Sequence, residues 1–139
     1  MSEANVEVVR RVFEEWRAGL ERGDLGAGFD TQLVADDFEW IAPQPLEGKS
    51  VWRGREGFVE FLRIWTQEFE DWSLQFERLI DAGHDRVVAL THQSATGKGS
   101  GVPVELNLGQ VYELKDGCVT RITGYLPHAV ALQDAGLSE

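Results

Sequence analysis

The sequence predicts an α+β fold in which a long, curled antiparallel sheet is backed by helices and encloses an apolar pocket. Three observations carry this reading. Four extended segments crowd the second half of the chain, starting at Trp72, Arg86, Val102 and Cys118. Turn signals separate them at Asp81-Ala82-Gly83-His84-Asp85, Gly97-Lys98-Gly99-Ser100-Gly101 and Lys115-Asp116-Gly117, where Gly accepts positive φ and Asp bonds its own backbone. Each segment runs to about ten residues against a usual five or six, and strands of that length twist and curl.

The elements follow in order. Residues 4–22 carry Val6, Val9, Phe13, Trp16 and Leu20, spacings of three and four that put one apolar stripe on a helix. Ser2 or Asn5 is the expected cap, and Gly23-Asp24 the stop. Asp24 is read as capping a short second helix through Phe29 and Leu33 that ends near Val34. Phe38–Ala42 reads as a strand closed by Pro43 and Pro45, and residues 43–54 as a loop. From Arg55 the residues Phe58, Phe61, Leu62, Trp65 and Phe69 again fall on one helical face. The strand from Trp72 alternates through Leu74 and Phe76. The strand from Val102 alternates through Val104, Leu106, Leu108, Gln110, Tyr112 and Leu114. A last short helix is expected through Ala129, Val130 and Leu132.

Composition bounds the function. At 139 residues, 42% apolar and 27% charged, the chain has the size and stock of one globular domain, residues 1–139. A net charge of −11 repels phosphate backbones and anionic lipid, so nucleic acid and membrane partners are disfavoured. The single cysteine, Cys118, excludes an internal disulfide, and no cluster at ligand spacing points to a metal. No apolar run reaches the length of a membrane span or a signal peptide, so a cytoplasmic location is expected. The glycine-rich stretch at Gly97–Gly101 lacks the spacing and following helix of a phosphate loop. No cofactor is implied.

Asn5–Arg11 opens a helix, Gly23-Asp24-Leu25 and Asp36-Asp37-Phe38-Glu39-Trp40 follow it, and Trp52-Arg53-Gly54-Arg55-Glu56-Gly57 opens the long helix. Leu79–Gly83 then precedes Arg86-Val87-Val88, followed by Gln110–Gly117 and by Arg121-Ile122 with Tyr125. In that order and spacing the chain resembles the SnoaL-like group of the nuclear-transport-factor-2-like superfamily. The resemblance implies a cone: a curved mixed sheet wrapped around N-terminal helices, enclosing an apolar pocket, and a homodimer through the sheet. Members include polyketide cyclases, ketosteroid isomerases, dehydratases and non-catalytic proteins, so the fold does not give the function. The places that hold the tyrosine, aspartate base and protonated aspartate of the family's ketosteroid isomerases are here Trp16, Ala42 and Gln110. The base is absent, which argues against steroid isomerisation by that route.

Candidate site residues divide by chemistry. Gln110 is a neutral amide on an otherwise apolar strand face, read as a donor to a developing oxyanion against a buried amide satisfied by backbone. His128 is read either as a general base near the cavity mouth or as the start of the last helix. Glu39 is a base only if the parity of the first strand turns it inward; with Phe38 and Trp40 inside, it faces out. The face of the strand carrying His92 stays open, the resemblance favouring an outer His92 and an inner Gln93. Ligand-binding candidates are Trp16, Trp40, Trp52, Phe61, Gln93, Leu108, Tyr112 and Tyr125, for which plain core is the competing reading. Walls this aromatic suit a small apolar molecule of carbonyl or polyketide-like type. Lyase, isomerase or cyclase chemistry, a non-catalytic binding role and a dimerisation role all remain open at this point.

Overall fold

Residues 2–29 and 31–137 are described in a computed structural model of the chain. Helix α1 (Ser2–Glu21) buries Val9, Val12, Phe13 and Trp16, the stripe its spacing requires. It stops where Asp24 N–H reaches back to the Gly19 carbonyl at 2.8 Å, with Gly23 at φ +80. The Ser2 cap lies outside the described side chains. Asn5 is no cap: its Nδ2 donates to Asp85 Oδ1 at 3.1 Å, tying the helix to a distant hairpin.

The short helix expected from Asp24 is replaced by successive turns. Asp24 Oδ1 accepts from Gly26 N–H, closing a turn rather than starting a helix. Gly28 sits at φ +85, where a Cβ would stand 2.7 Å from the Val12 carbonyl. The apolar spacing of Leu25, Phe29 and Leu33 imitates a helix, but this backbone serves to fold Phe29 under Trp16.

Strand β1 (Val34–Leu46) is longer than Phe38–Ala42 and runs through both prolines. It tolerates them because no paired residues fall between Ile41 and Leu46 in its ladder with β2 (Lys49–Arg53). Residues 43–54 are therefore not a loop but a hairpin, turned by Glu47 and Gly48 at φ 52 and 77. Helix α2 (Gly54–Glu68) follows directly and buries Phe58 and Leu62.

Strands β3 (Phe69–Gly83) and β4 (Arg86–Gly97) form a long hairpin, turned by His84 and Asp85, both at positive φ. The single strand expected from Val102 is two: β5 (Pro103–Leu106) and β6 (Gly109–Lys115). Both pair with β4, without a slip in register, as Gln93 opposes Leu106 and Leu90 opposes Gly109. Between them the Leu108 carbonyl accepts from both the N–H and the Oγ1 of Thr91, each at 2.9 Å. Strand β7 (Cys118–Tyr125) runs antiparallel to β6 and parallel to β1. The strand order is β2-β1-β7-β6-β4-β3, with β5 beside β4, a mixed, unclosed sheet. The sheet curls around α1 and α2, and the α+β cone expected from the sequence is the fold observed.

Two cores lie on opposite faces. The larger one, inside the curl, joins α1 and α2 to Phe38, Trp40, Leu74, Val87, Ala89, Tyr112 and Ile122. The smaller one, outside, seats α3 (His128–Asp134) on Val88, Leu90 and Val111 through Ala131 and Leu132. Gly109 permits that approach, since a Cβ there would meet Ala131 Cβ at 2.5 Å. Arg86 donates to the carbonyls of Asp134 and Ala135, partners for the open end of α3. No helix among the described residues is long and apolar enough to cross a membrane.

Candidate functional site

Inside the curl, α1, α2 and the sheet leave a cavity of about 80 Å³ open to the centres of water-sized molecules. A single water needs roughly 10–15 Å³ on that measure, so the space exceeds a packing defect. Its walls come from nearly every element. Trp16 reaches it from α1, Trp40 and Pro43 from β1, and Phe58, Phe61, Leu62 and Trp65 from α2. Trp72, Gln93, Leu106, Leu108, Gln110 and Leu126 complete it from the sheet side.

The rings interlock, Trp16 on Trp72 and Trp40 on Phe61 edge to face and Trp16 on Phe58 tilted. Trp16 meets Trp72 with centroids 5.9 Å apart and Phe58 at the same separation, while Trp40 meets Phe61 at 5.5 Å. Such pairs contribute about 0.5–1.5 kcal/mol each beyond area burial, which makes these walls stiff. The Trp16 N–H is spent on the Leu25 carbonyl at 3.1 Å. Trp40 and Trp65 leave their indole N–H groups buried without a partner among the described residues.

Apart from the indoles, two polar side chains among the described residues touch the space, both amides. Gln93, 6% exposed, lies in a chain of side-chain bonds. Trp72 Nε1–H donates to its Oε1 at 2.9 Å, its Nε2 donates to Thr91 Oγ1 at 3.3 Å, and the Thr91 hydroxyl donates to the Leu108 carbonyl. Gln110 accepts at Oε1 from the Tyr112 hydroxyl at 3.1 Å. Burial pushes the Tyr112 phenol well above its ordinary range, so it stays a donor.

Geometry sorts the candidates named from the sequence. Trp16, Trp40, Phe61, Gln93, Leu108 and Gln110 meet at the cavity. Trp52 is 1% exposed, packed behind Phe61 at 5.6 Å, with Lys49 Nζ over its ring. Tyr112 stands behind Gln110 rather than on the wall. Tyr125 belongs to the outer core beneath α3, and its phenol is pushed up to about 12 by burial and by Asp134.

Neither ionisable candidate reaches the space. Glu39 is drawn outward into ion pairs with Arg53 at 3.1 Å and Arg121 at 3.2 Å. His128 begins α3, donates Nε2–H to the Thr91 carbonyl at 2.7 Å, and turns Nδ1 to Glu77 at 3.7 Å. His92 faces out between Asn107 and Glu105, with Gln93 inward. Pro43, Phe58, Leu62, Trp65, Trp72, Leu106 and Leu126 also line the cavity, and residue chemistry alone does not mark them as site residues. For Phe58, Leu62, Trp65 and Leu106 the available signals were the helical face shared with Phe61 and the strand face shared with Leu108 and Gln110. Among the described residues, no three His, Cys, Asp or Glu side chains gather as a metal site.

The family model of the SnoaL-like domain matches residues 9–122. No curated protein matches the chain. Among solved structures, an NTF2-like protein of unknown function from Burkholderia pseudomallei K96243 is similar, at 21% identity and TM-score 0.70 over 94% of this chain and 95% of that one. A candidate SnoaL-like polyketide cyclase from Jannaschia sp. CCS1 is 21% identical, with TM-score 0.68 over 96% and 92%. TerC, co-crystallized with polyporic acid, is 21% identical, with TM-score 0.69 over 95% and 97%. Likeness at this identity speaks for the fold alone.

Proposed function

The chain belongs to the SnoaL-like domain family, and from that premise we propose that it binds a small, flat, largely apolar molecule of carbonyl or polyketide-like type in the cavity between α1, α2 and the sheet. One observation carries the reading: stiff aromatic walls from α1, β1, α2 and β3 converge on the two amides of Gln93 and Gln110, with no charged side chain among the described residues on the lining. Concave, apolar sites with a few fixed polar groups are how proteins hold small organic ligands.

Lyase, isomerase or cyclase chemistry needs a group that moves a proton within hydrogen-bond reach of the substrate. Glu39 and His128 are engaged elsewhere, and the lining amides do not titrate near neutral pH. The geometry therefore favours binding over turnover, with Gln110 as the group that would polarise a carbonyl oxygen.

Thermal melts with a bicyclic aromatic ketone test the reading. A ligand at about 100 times its Kd adds roughly 2.7 kcal/mol to stability, seen as a rise in Tm together with a change in tryptophan fluorescence. A panel of mono- and bicyclic ketones that moves neither signal would overturn it.

A further inference from the structure

The cavity has a hydrogen-bonding polarity. Among the described residues its side-chain acceptors are the oxygens of Gln93 and Gln110, because Trp, Phe, Leu and Pro side chains offer none. Each oxygen accepts from one internal donor, and that donor fixes which way its amide is turned. Trp72 N–H cannot accept, so the Gln93 atom 2.9 Å from it is the oxygen. For Gln110 the choice is set by Tyr112, which is 2% exposed and whose hydroxyl has this amide as its acceptor. Turning the amide over would strand a buried O–H, which native structures avoid. The nitrogen of Gln110 is left as the free end, on a residue that lines the cavity.

We propose that Tyr112 is the positioning residue that fixes Gln110 as a hydrogen-bond donor toward the cavity, so that the ligand is recognised there through an acceptor oxygen. The ligand class is then a flat, apolar molecule that sets an acceptor oxygen, such as that of a ketone, quinone or ester, against Gln110. The proposal rests on the ligand-binding reading above and narrows it. An acceptor placed against Gln110 satisfies a donor that is otherwise unpaired, whereas a donor placed there leaves two donors facing each other inside a dry site.

Three probes of one shape test it: indane, 1-indanone and 1-indanol, titrated against the full chain by tryptophan fluorescence. The wild type is expected to bind 1-indanone about tenfold more tightly than indane, the size of one good neutral hydrogen bond, and to prefer it over 1-indanol. In Tyr112→Phe the amide is free to turn, so the ketone loses most of that advantage and 1-indanol gains on it. In Gln110→Leu the ketone and indane bind within about twofold of each other. Indane is the internal control, since a merely structural defect weakens all three probes alike. Equal binding of indane and 1-indanone by the wild type overturns the donor assignment while leaving the binding reading intact. An unchanged selectivity in Tyr112→Phe overturns the positioning role. Binding of none of the three overturns the ligand-binding reading and this proposal with it.

Discussion

The indole of Trp72 decides which way the Gln93 amide points. Trp72 N–H, on β3, donates to Gln93 Oε1, on β4, at 2.9 Å, and the amide nitrogen is thereby turned to Thr91. Trp72→Phe keeps a ring on the wall but leaves that oxygen buried without its donor. The expected loss is about 1–3 kcal/mol of stability, read from urea denaturation. A variant as stable as the wild type would show that the bond holds nothing in place.

Phe38 has no exposure and stacks on Phe29 at 5.2 Å, with Phe58 edge-on at 6.1 Å. Phe38→Ala empties a site whose neighbours are held by their own ring contacts, so little collapse follows. A destabilisation of about 3–5 kcal/mol is expected, measured by the shift in denaturant midpoint. A value of about 1 kcal/mol would mean that the aromatic cluster repacks.

Glu39 is paired with Arg53 and Arg121, its side chain 18% exposed and the arginines far more so. Pairs of that kind contribute at most about 1 kcal/mol. Glu39→Gln is expected to lower stability by no more than that and to leave ketone affinity within about twofold, as the residue lies outside the cavity. A large loss of affinity would restore Glu39 as a site residue.

His92 has Asn107 Oδ1 at 2.8 Å from Nδ1 and Glu105 at 3.5 Å from Nε2. The Asn107 hydrogen bond, chiefly, and the Glu105 carboxylate raise its pKa above the ordinary 6.5, with desolvation opposing them. A group raised on folding contributes stability that is complete below its unfolded pKa and vanishes as pH climbs through the folded one. Wild type and His92→Gln should therefore differ most below about pH 6.5 and converge in alkaline solution. A difference that grows with pH would reverse the sign and refute the assignment.

Much of the fold was legible because burial imposes a period. Val9, Phe13 and Trp16 on α1, and Phe58, Phe61, Leu62 and Trp65 on α2, announce their faces directly. Gln110 stood out as the one amide in an apolar alternation. What was hidden had no period to show. β2 is five residues long with only Trp52 buried, too short to alternate visibly. The break between β5 and β6 keeps its register, so the pattern runs through it unmarked. The turns at Leu25–Phe29 carry helical spacing on a backbone that Gly28 bends at positive φ. The polarity of the cavity depends on which ends of two amides face Trp72 and Tyr112, a matter of side-chain contact between strands that composition does not carry.

The walls of the cavity draw on Trp16 near the start of the chain and Leu126 near its end, with α2 between. A bound molecule would therefore act as a clasp between segments far apart along the chain. Amides of α1 and β6 would then exchange with solvent in step once it is seated, and the protein would unravel as one piece instead of fraying from its first helix.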